Sequence, residues 1–201
     1  MPESLPLTPA GERVLTTAGE LFYRDGIHAV GVALVAETAG VTKKTLYDCF
    51  GSKDALVARY LRRRHERWWE HLEGCVARAA HPRALAVYDA YRGHEGLDTT
   101  RGCAFLNAAA EVRGDHPAVE VIREHKRAVR GRLEELVGED LPDATAAEVT
   151  EVSETLYLIL EGATAQPGLA DRTHLDRARG LAESYLSRRA AGAEQGRHGR
   201  G

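Results

Sequence analysis

The sequence lacks any uninterrupted run of about 18 apolar residues, the length that a membrane-spanning helix requires. Its first residues, MPESLPLTPAGERV, contain neither the basic segment nor the apolar segment of a secretory signal. Cysteine pairs are also missing: Cys49, Cys75 and Cys103 lie 26 and 28 residues apart, which fits neither a disulfide framework nor a zinc site. We therefore expect a cytoplasmic protein without a membrane segment, whose thiols are reduced.

Motifs of the common enzyme classes are absent as well. The sequence has no Gly-X-Ser-X-Gly, no His-Glu-X-X-His and no phosphate-binding loop. Among the nine histidines, His65 and His71 are six residues apart and His116 and His125 are nine apart, so no close metal-ligand spacing emerges. We expect no catalytic residue, no metal site and no cofactor.

Helical periodicity is the strongest pattern that the sequence does have. Apolar residues recur at spacings of three and four, and no sustained period-two run of β-branched residues indicates a strand. With 201 residues, the chain is long enough to bury a core. The pattern predicts an all-α protein of about nine helices. The tail over residues 190–201 has no apolar stripe and is expected to be disordered.

Positive charge is concentrated near the N-terminal end, although the whole chain carries a formal net charge of −3. Residues 41–64 contain seven Lys and Arg against two Asp and Glu. A local excess of this sign favours an anionic partner. Solvated lysines at helix ends are the alternative, because they are common in proteins that never touch nucleic acid.

The segment AGVTKKTLYDCFGSKDAL, residues 39–56, combines two helix starts with a glycine turn. A short helix over about 32–38 and another over about 42–50, joined by a turn that contains Gly40, are typical of a helix-turn-helix. Thr42 is positioned to cap the second helix, and Val41 and Leu46 have the spacing of a hydrophobic staple. The helical geometry points Lys44, Thr45, Tyr47 and Asp48 away from the apolar side, with Lys43 at the border.

These positions predict two kinds of DNA contact. The leading residues of an exposed helix can enter the major groove, where lysine and threonine donate to purine acceptors. Lys53 instead falls in the first turn of the next helix, after Ser52, where free backbone N–H groups favour a phosphate. The predicted DNA-binding residues are Thr42, Lys43, Lys44, Thr45, Tyr47 and Lys53.

GERVLTTAGELFYRDGIHAV followed by VAETAGVTKKTLYDCFGSKDALV resembles the N-terminal domain of the TetR family of bacterial transcriptional regulators. The resemblance covers about residues 10–60, and the rest is similar to the more variable helical domain of some members. It implies a homodimer whose third helices enter successive major grooves of double-stranded operator DNA. It also implies a repressor that a small-molecule effector releases from DNA. Residues 1–52 would bind DNA, and residues 53–189 would bind the effector and dimerise.

By the same resemblance, Tyr47 and Lys53 would contact phosphates, while Lys43, Lys44 and Thr45 would approach bases. The sequence departs from the family pattern at two places, the start of the second helix and residue 49. Gly31 and Val32 replace the Thr or Ser that often begins the second helix, which removes a cap and phosphate donors. Cys49 replaces a frequent His or Tyr, and either a buried small residue or a redox-active thiol fits it. The alternative function is therefore an all-helical ligand-binding or adaptor protein without specific DNA binding.

The C-terminal half supplies candidates for dimerisation and effector binding. The helix over about 146–164 is apolar on more than one face, which indicates either a partner surface or burial within one monomer. The dimer-interface candidates are Val149, Val152, Leu156, Ile159, Ala163, Leu181 and Tyr185. The candidates for lining an effector cavity, each of which also fits a core or surface place, are Trp68, Trp69, Tyr88, Tyr91, Phe105, Asn107, Glu111 and Tyr157.

Overall fold

The computed structural model describes residues 6–93, 100–165 and 173–198. Within these ranges the chain is all-helical, as the sequence predicted, with nine α-helices, one short 3-10 helix and no strand. The helices are α1 (Pro9–Asp25), α2 (Val32–Thr38), α3 (Lys43–Phe50), α4 (Lys53–Arg78), the 3-10 helix (Arg83–Leu85), α5 (Ala86–Arg92), α6 (Ala104–Glu111), α7 (Ala118–Asp140), α8 (Ala146–Thr164) and α9 (Thr173–His198).

Side-chain caps determine where several of these helices begin. The Thr8 hydroxyl accepts a hydrogen bond from the Gly11 N–H, and Pro9 occupies the first position of α1, where its missing N–H costs nothing. At the start of α8, Thr145 and Glu148 form a reciprocal capping box. These contacts satisfy N–H groups that the first turn of a helix leaves unpaired.

Helix α9 is longer than the sequence predicted. It continues to His198, whereas the apolar pattern predicted an end near Arg189 and a disordered tail beyond it. The added segment contains alanine, glutamate, glutamine and arginine, which favour helix even where no apolar stripe is present. The end of the predicted tail, residues 199–201, lies outside the described residues.

The chain divides into two compact units, and α4 and α7 contribute to both. Unit 1 falls within Met1–Glu66 and Ala104–His125, and unit 2 falls within Arg67–Cys103 and Lys126–Gly201. The N-terminal helices thus share a unit with α6. The functional boundary after residue 52 stays a prediction.

Unit 1 is built around α1, which packs against both α2 and α3. The inner stripe of α1 includes Val14, Leu15 and Ala18, all of which are buried at the predicted helical spacing. Phe22 of α1 and Tyr60 of α4 add an aromatic contact with ring centroids 6.0 Å apart. Full burial of a large apolar side chain contributes about 1.5–3 kcal/mol, so this stripe supplies much of the stability of unit 1.

A polar contact joins α6 to the segment that follows α1. The Glu111 carboxylate accepts a hydrogen bond from the His28 backbone N–H at 2.7 Å, and His28 Nε2 lies 2.7 Å from the Glu111 carbonyl oxygen. Gly26 allows this approach because its φ is +94° and an added Cβ would lie 3.2 Å from Oε1 of Glu111. Glu111 therefore fixes the chain between α1 and α2.

Unit 2 encloses a core to which α4, α5, α7, α8 and α9 contribute. Leu133, Leu156 and Leu160 are fully buried there. Tyr88 is buried among them, and its hydroxyl donates a hydrogen bond to the Leu156 carbonyl oxygen at 2.6 Å. Burial raises the pKa of Tyr88 well above its usual value, so the phenol keeps its proton and remains a donor at neutral pH.

A buried carboxylate from α7 holds the start of the 3-10 helix. Asp140, 5% exposed, accepts hydrogen bonds from the backbone N–H groups of Arg83 and Ala84 at 2.7 and 2.8 Å. Pro82, at the cap position, makes no side-chain cap bond. Asp140 therefore supplies from another helix the acceptor that the local sequence does not provide.

Asp140→Ala is expected to lower the free energy of unfolding by about 2–3 kcal/mol, because it leaves two backbone N–H groups without their acceptor. Glu139→Ala is the matched control, since it removes the neighbouring exposed carboxylate that pairs with Arg83. That change should cost less than about 1 kcal/mol. Urea unfolding followed by circular dichroism measures both, and equal losses would contradict the role given to Asp140.

Candidate nucleic-acid interface

The turn between α2 and α3 is closed by backbone hydrogen bonds around a glycine. Gly40 has φ +64°, the left-handed conformation that glycine adopts without strain. Next to it, the Val41 N–H donates to the Ala36 carbonyl oxygen at 2.9 Å. From α1, Arg13 Nε donates to the Ala39 carbonyl oxygen at 3.4 Å. The predicted turn is confirmed. The hydrogen bond from Arg13 of α1 stabilises it from outside the motif.

Helix α3 is held by its cap and by one buried side chain. Thr42 Oγ1 accepts a hydrogen bond from the Thr45 N–H at 3.1 Å, as predicted for the cap. Leu46 is completely buried, and Val41 before the cap is half-buried. A helix of eight residues is not stable by itself in water, so its position depends on these contacts.

The opposite face of α3 is open to solvent. Lys43 and Lys44 are exposed, Tyr47 keeps 45% of its surface, and Thr45 is half-buried. Lys44 Nζ lies 2.7 Å from Oδ2 of Asp48, and this hydrogen-bonded ion pair raises the pKa of Lys44. Because the pair is exposed, it is weak, and a DNA phosphate or base can compete for the ammonium. The outward face is therefore the one that the periodicity predicted.

A second helix start follows α3 directly. Gly51, with φ +75°, ends α3 by donating its N–H to the Tyr47 carbonyl oxygen at 2.8 Å. The Ser52 hydroxyl then accepts from the Ala55 N–H at 3.0 Å and caps α4. Lys53 is the first residue of α4 and is half-buried. Lys53 therefore lies in the first turn of α4, where the unpaired backbone N–H groups favour an anion.

Two arginines of the positive segment are occupied within unit 1. Arg63 forms an ion pair with Glu12 of α1 at 2.7 Å. Arg64 places its guanidinium 4.3 Å from the centroid of the Tyr23 ring, a cation–π contact. Neither contact was evident from the local sequence, because each joins α4 to α1. These two contacts hold the Arg63 and Arg64 side chains against α1, whereas Lys43 and Lys44 of α3 are exposed to solvent.

Helix α2 begins without a side-chain cap, as the sequence predicted. Gly31 occupies the cap position with φ −83° and ψ 154°, and it makes no side-chain hydrogen bond. That backbone conformation is open to any residue, and a Cβ added there would meet no atom within 4 Å among the described residues. The position lacks a cap because of its residue type and not because of its geometry.

Cys49 is half-buried, whereas the favoured sequence interpretation was a buried small residue. Its Sγ lies 3.9 Å from Thr8 Oγ1 at the start of α1. The short α3 has one fully buried residue, Leu46, so the flank that carries Cys49 is only partly covered. Cys75 is also partly exposed and Cys103 is buried, and all three are free thiols.

Three effector candidates, Glu111, Phe105 and Asn107, lie in unit 1. Glu111 binds the His28 N–H. Phe105 is buried and stacks on His125 with ring centroids 3.5 Å apart. Asn107 is half-buried on the same helix. Contacts between residues far apart in sequence thus engage Glu111 and Phe105 in the packing of unit 1.

The other effector candidates lie in unit 2. Tyr88 uses its hydroxyl inside the core, as described above. The Trp68 and Tyr91 rings pack with centroids 4.9 Å apart, and Trp68 and Trp69 with centroids 6.3 Å apart. Tyr157 is half-buried on α8. Trp68, Tyr91 and Tyr157 remain candidates for effector binding.

The dimer-interface candidates differ widely in exposure. Val152 and Leu156 are buried in the core of unit 2. These two side chains are therefore shielded from solvent without a partner chain. Leu181 is 61% exposed, and Leu158, which was not among the candidates, is 68% exposed. The second apolar face of α8 was the sequence signal for Leu158. The remaining candidates, Val149, Ile159, Ala163 and Tyr185, are half-buried.

The fold and the exposed capped helix after a glycine turn are those of a helix-turn-helix DNA-binding regulator. Residues 14–60 match the sequence pattern of the bacterial regulatory proteins of the tetR family. The fold is similar to that of a TetR-family transcriptional regulator from Streptomyces coelicolor, with TM-score 0.80 and 27% identity over 90% of this chain and 96% of that chain.

Two further solved structures share the fold. A TetR transcriptional regulator from Streptomyces avermitilis matches with TM-score 0.67 and 26% identity over 88% of this chain and 99% of that chain. One from Chloroflexus aurantiacus matches with TM-score 0.73 and 24% identity over 89% and 94%. No curated protein matches the sequence.

Residues 14–60 thus carry the sequence pattern of the tetR family of bacterial regulatory proteins, and the chain has the fold of TetR-family regulators. This is the fold of a DNA-binding transcriptional regulator, and α3 is the second helix of its helix-turn-helix. Across the described ranges, every helix is too short or too polar to span a lipid bilayer.

Gly31→Ser is expected to raise the free energy of unfolding by about 0.5–1 kcal/mol, because it reduces the entropy of the unfolded chain and supplies a cap oxygen for α2. Gly31→Ala is the control that shares the entropy effect but has no oxygen. Its stability should be no higher than that of the wild type, because alanine is less favourable than glycine at a helix cap and this offsets the entropy gain. Thermal unfolding by calorimetry ranks the three proteins, and alanine equal to serine would show that the missing cap is unimportant.

Proposed function

We propose that the protein is a transcriptional repressor that binds operator DNA as a homodimer and leaves it when a small-molecule effector binds. The observation that carries the DNA-binding part is the exposed face of α3, which presents Lys43, Lys44 and Tyr47 above the buried anchor Leu46. Repression and release by an effector are supported by the match of residues 14–60 to the tetR family and by the similarity of the fold to TetR-family regulators.

On DNA, the first turn of α3 would enter the major groove. Lys43, Lys44 and Thr45 would then reach base edges and determine which sequence is bound. Tyr47 and Lys53 would bind phosphates and fix the position of the helix without reading sequence. Lys44 would exchange its exposed contact with Asp48 for a contact with DNA. This division of roles is the one that the resemblance to the tetR family implies for these positions.

A homodimer would present two such helices to a two-fold symmetric operator. Helices α8 and α9 pack together in unit 2, and they expose Leu158 and Leu181 to solvent. Large exposed apolar side chains are typical of association surfaces. The half-buried Ile159 and Tyr185 lie on the same two helices and would extend the contact.

Lys53→Ala is expected to weaken DNA binding about ten- to a hundredfold on all sequences, because each half-site would have one charged phosphate contact fewer. The slope of log affinity against log salt should fall by about 0.9 for each phosphate that the variant no longer neutralises. Arg113→Ala, which removes an exposed charge from unit 1 outside the motif, should leave both quantities nearly unchanged. Fluorescence anisotropy at several salt concentrations measures them, and an unchanged slope for Lys53→Ala would contradict the phosphate role.

The proposed function itself is tested by titrating the protein against DNA from upstream of its own gene, with unrelated DNA as competitor. Binding that survives the competitor, and transcription that increases when the gene is deleted, are the expected results. Binding that any DNA abolishes equally, together with unchanged transcription of the neighbouring genes, would favour the alternative of a helical ligand-binding or adaptor protein.

Leu158→Glu is expected to convert the dimer to monomers, since it places a charge on an apolar surface that a partner would cover. The side chain is exposed, so the monomer should stay folded. Ala147→Glu, at an exposed position near the start of α8, is the matched control and should leave the dimer intact. Sedimentation velocity distinguishes the two states, and a dimeric Leu158→Glu variant would exclude this face as the interface.

A further inference from the structure

A buried hydroxyl in unit 2 lacks a hydrogen-bond partner among the described residues. It belongs to Tyr91, on α5, and its oxygen atom is shielded from solvent. Tyr88, one turn earlier, donates its hydroxyl to the Leu156 carbonyl oxygen instead. A buried hydroxyl without a partner costs about 1–3 kcal/mol, and native proteins contain few of them. An acceptor from outside the chain would therefore gain a hydrogen bond from Tyr91.

Polar side chains from other elements lie near enough to Tyr91 to influence its phenol. Burial raises the pKa of Tyr91, and the nearby Cys103, Glu161 and Tyr157 side chains raise it further. Burial also raises the pKa of Tyr157 to about 12. Both phenols are thus protonated at neutral pH. They offer two O–H donors to a ligand, and neither offers a negative charge.

The charged groups beside the phenols neutralise one another. Lys126 Nζ lies 2.7 Å from both carboxylate oxygens of Glu161, and it is 3.7 Å from the Cys103 sulfur. The Lys126 and Glu161 side chains are 17% and 20% exposed to solvent. Breaking such a desolvated pair leaves one charge without a partner, which is strongly unfavourable. An ionic ligand would therefore have to displace a satisfied ion pair.

Aromatic surface completes the surroundings of Tyr91. The buried Trp68 ring packs against the Tyr91 ring with a centroid distance of 4.9 Å and an interplanar angle of 52°. A ring system on the ligand can pack on such surfaces while a single polar atom fixes its orientation. Apolar walls with a few convergent donors are the usual composition of a small-molecule site.

We infer that Tyr91 is the hydrogen-bond donor of the effector site and that the effector is a neutral, largely apolar aromatic compound with a carbonyl acceptor. The inference rests on the proposed function and adds the chemical class of the effector. Trp68 provides the packing surface, Tyr157 provides a second donor, and the Lys126–Glu161 pair disfavours carboxylate ligands. Each of these residues belongs to unit 2.

Three probes of similar shape test this class by isothermal titration calorimetry with the full chain. They are 2-acetonaphthone, which has a carbonyl acceptor, 2-ethylnaphthalene, which has none, and 2-naphthoate, which is charged. The ketone should bind at least fivefold more tightly than either of the other two, because it alone gains the Tyr91 hydrogen bond without a charge penalty.

Tyr91→Phe should reduce the affinity of the ketone at least fivefold and leave that of 2-ethylnaphthalene unchanged. It should also fold normally, because it removes a hydroxyl that has no partner among the described residues. Tyr88→Phe is the matched control: it removes a satisfied core hydrogen bond and should lower stability without changing the preference for the ketone. Glu161→Gln should shift the preference toward 2-naphthoate, because it frees the charge of Lys126.

Three results would overturn the inference: no binding of the ketone up to its solubility limit, tighter binding of 2-naphthoate by the wild type, or equal ketone affinity in Tyr91→Phe. These measurements contain no DNA, so they are independent of the proposed repressor function. Anisotropy with operator DNA then separates the two. If the ketone binds through Tyr91 but does not release DNA, the assignment of Tyr91 as a ligand donor stands. Effector-controlled repression is then contradicted.

Discussion

The position of α3, the proposed recognition helix, depends on the burial of Leu46. Helix α3 has eight residues, too few for stability in water, and Leu46 is its one completely buried side chain. The Thr42 cap and the glycine turn fix how the chain enters the helix, and α1 provides the surface on which it rests. Because the inner face is fixed in this way, the lysines and Tyr47 must face outward. The packing of one leucine therefore fixes which face of α3 is available for the proposed contact with DNA.

Unit 2 shows the opposite use of buried groups. Most of its apolar residues form a core, and two buried polar side chains are paired there: Asp140 caps a helix start and Tyr88 binds a backbone carbonyl. Paired polar groups stabilise one arrangement of the helices. Tyr91 differs because its buried hydroxyl makes no hydrogen bond within the described part of the chain. Two tyrosines one turn apart thus differ in whether their buried hydroxyl has a partner, and the proposed effector site rests on that difference.

The sequence predicted the features that depend on near neighbours. The all-helical class, the Thr8 and Thr42 caps, the Gly40 turn and the outward face of α3 follow from spacings of a few residues, and the structure confirms them. Contacts over long separations were not predictable, such as the hydrogen bond from the His28 N–H to Glu111, 83 residues away. Exposure of Leu158 and burial of Leu156 were equally undetermined, because both faces of α8 are apolar. Which face is covered depends on the other helices of unit 2.

Selection of bound duplexes from a random-sequence DNA pool tests most directly whether paired α3 helices read a DNA sequence. The purified full chain is mixed with the pool, and bound duplexes are sequenced after several rounds. The account predicts an enriched two-fold symmetric motif whose half-sites lie about one helical turn, or a multiple of it, apart. The account would be contradicted if no motif is enriched and if salt weakens the binding of all sequences equally.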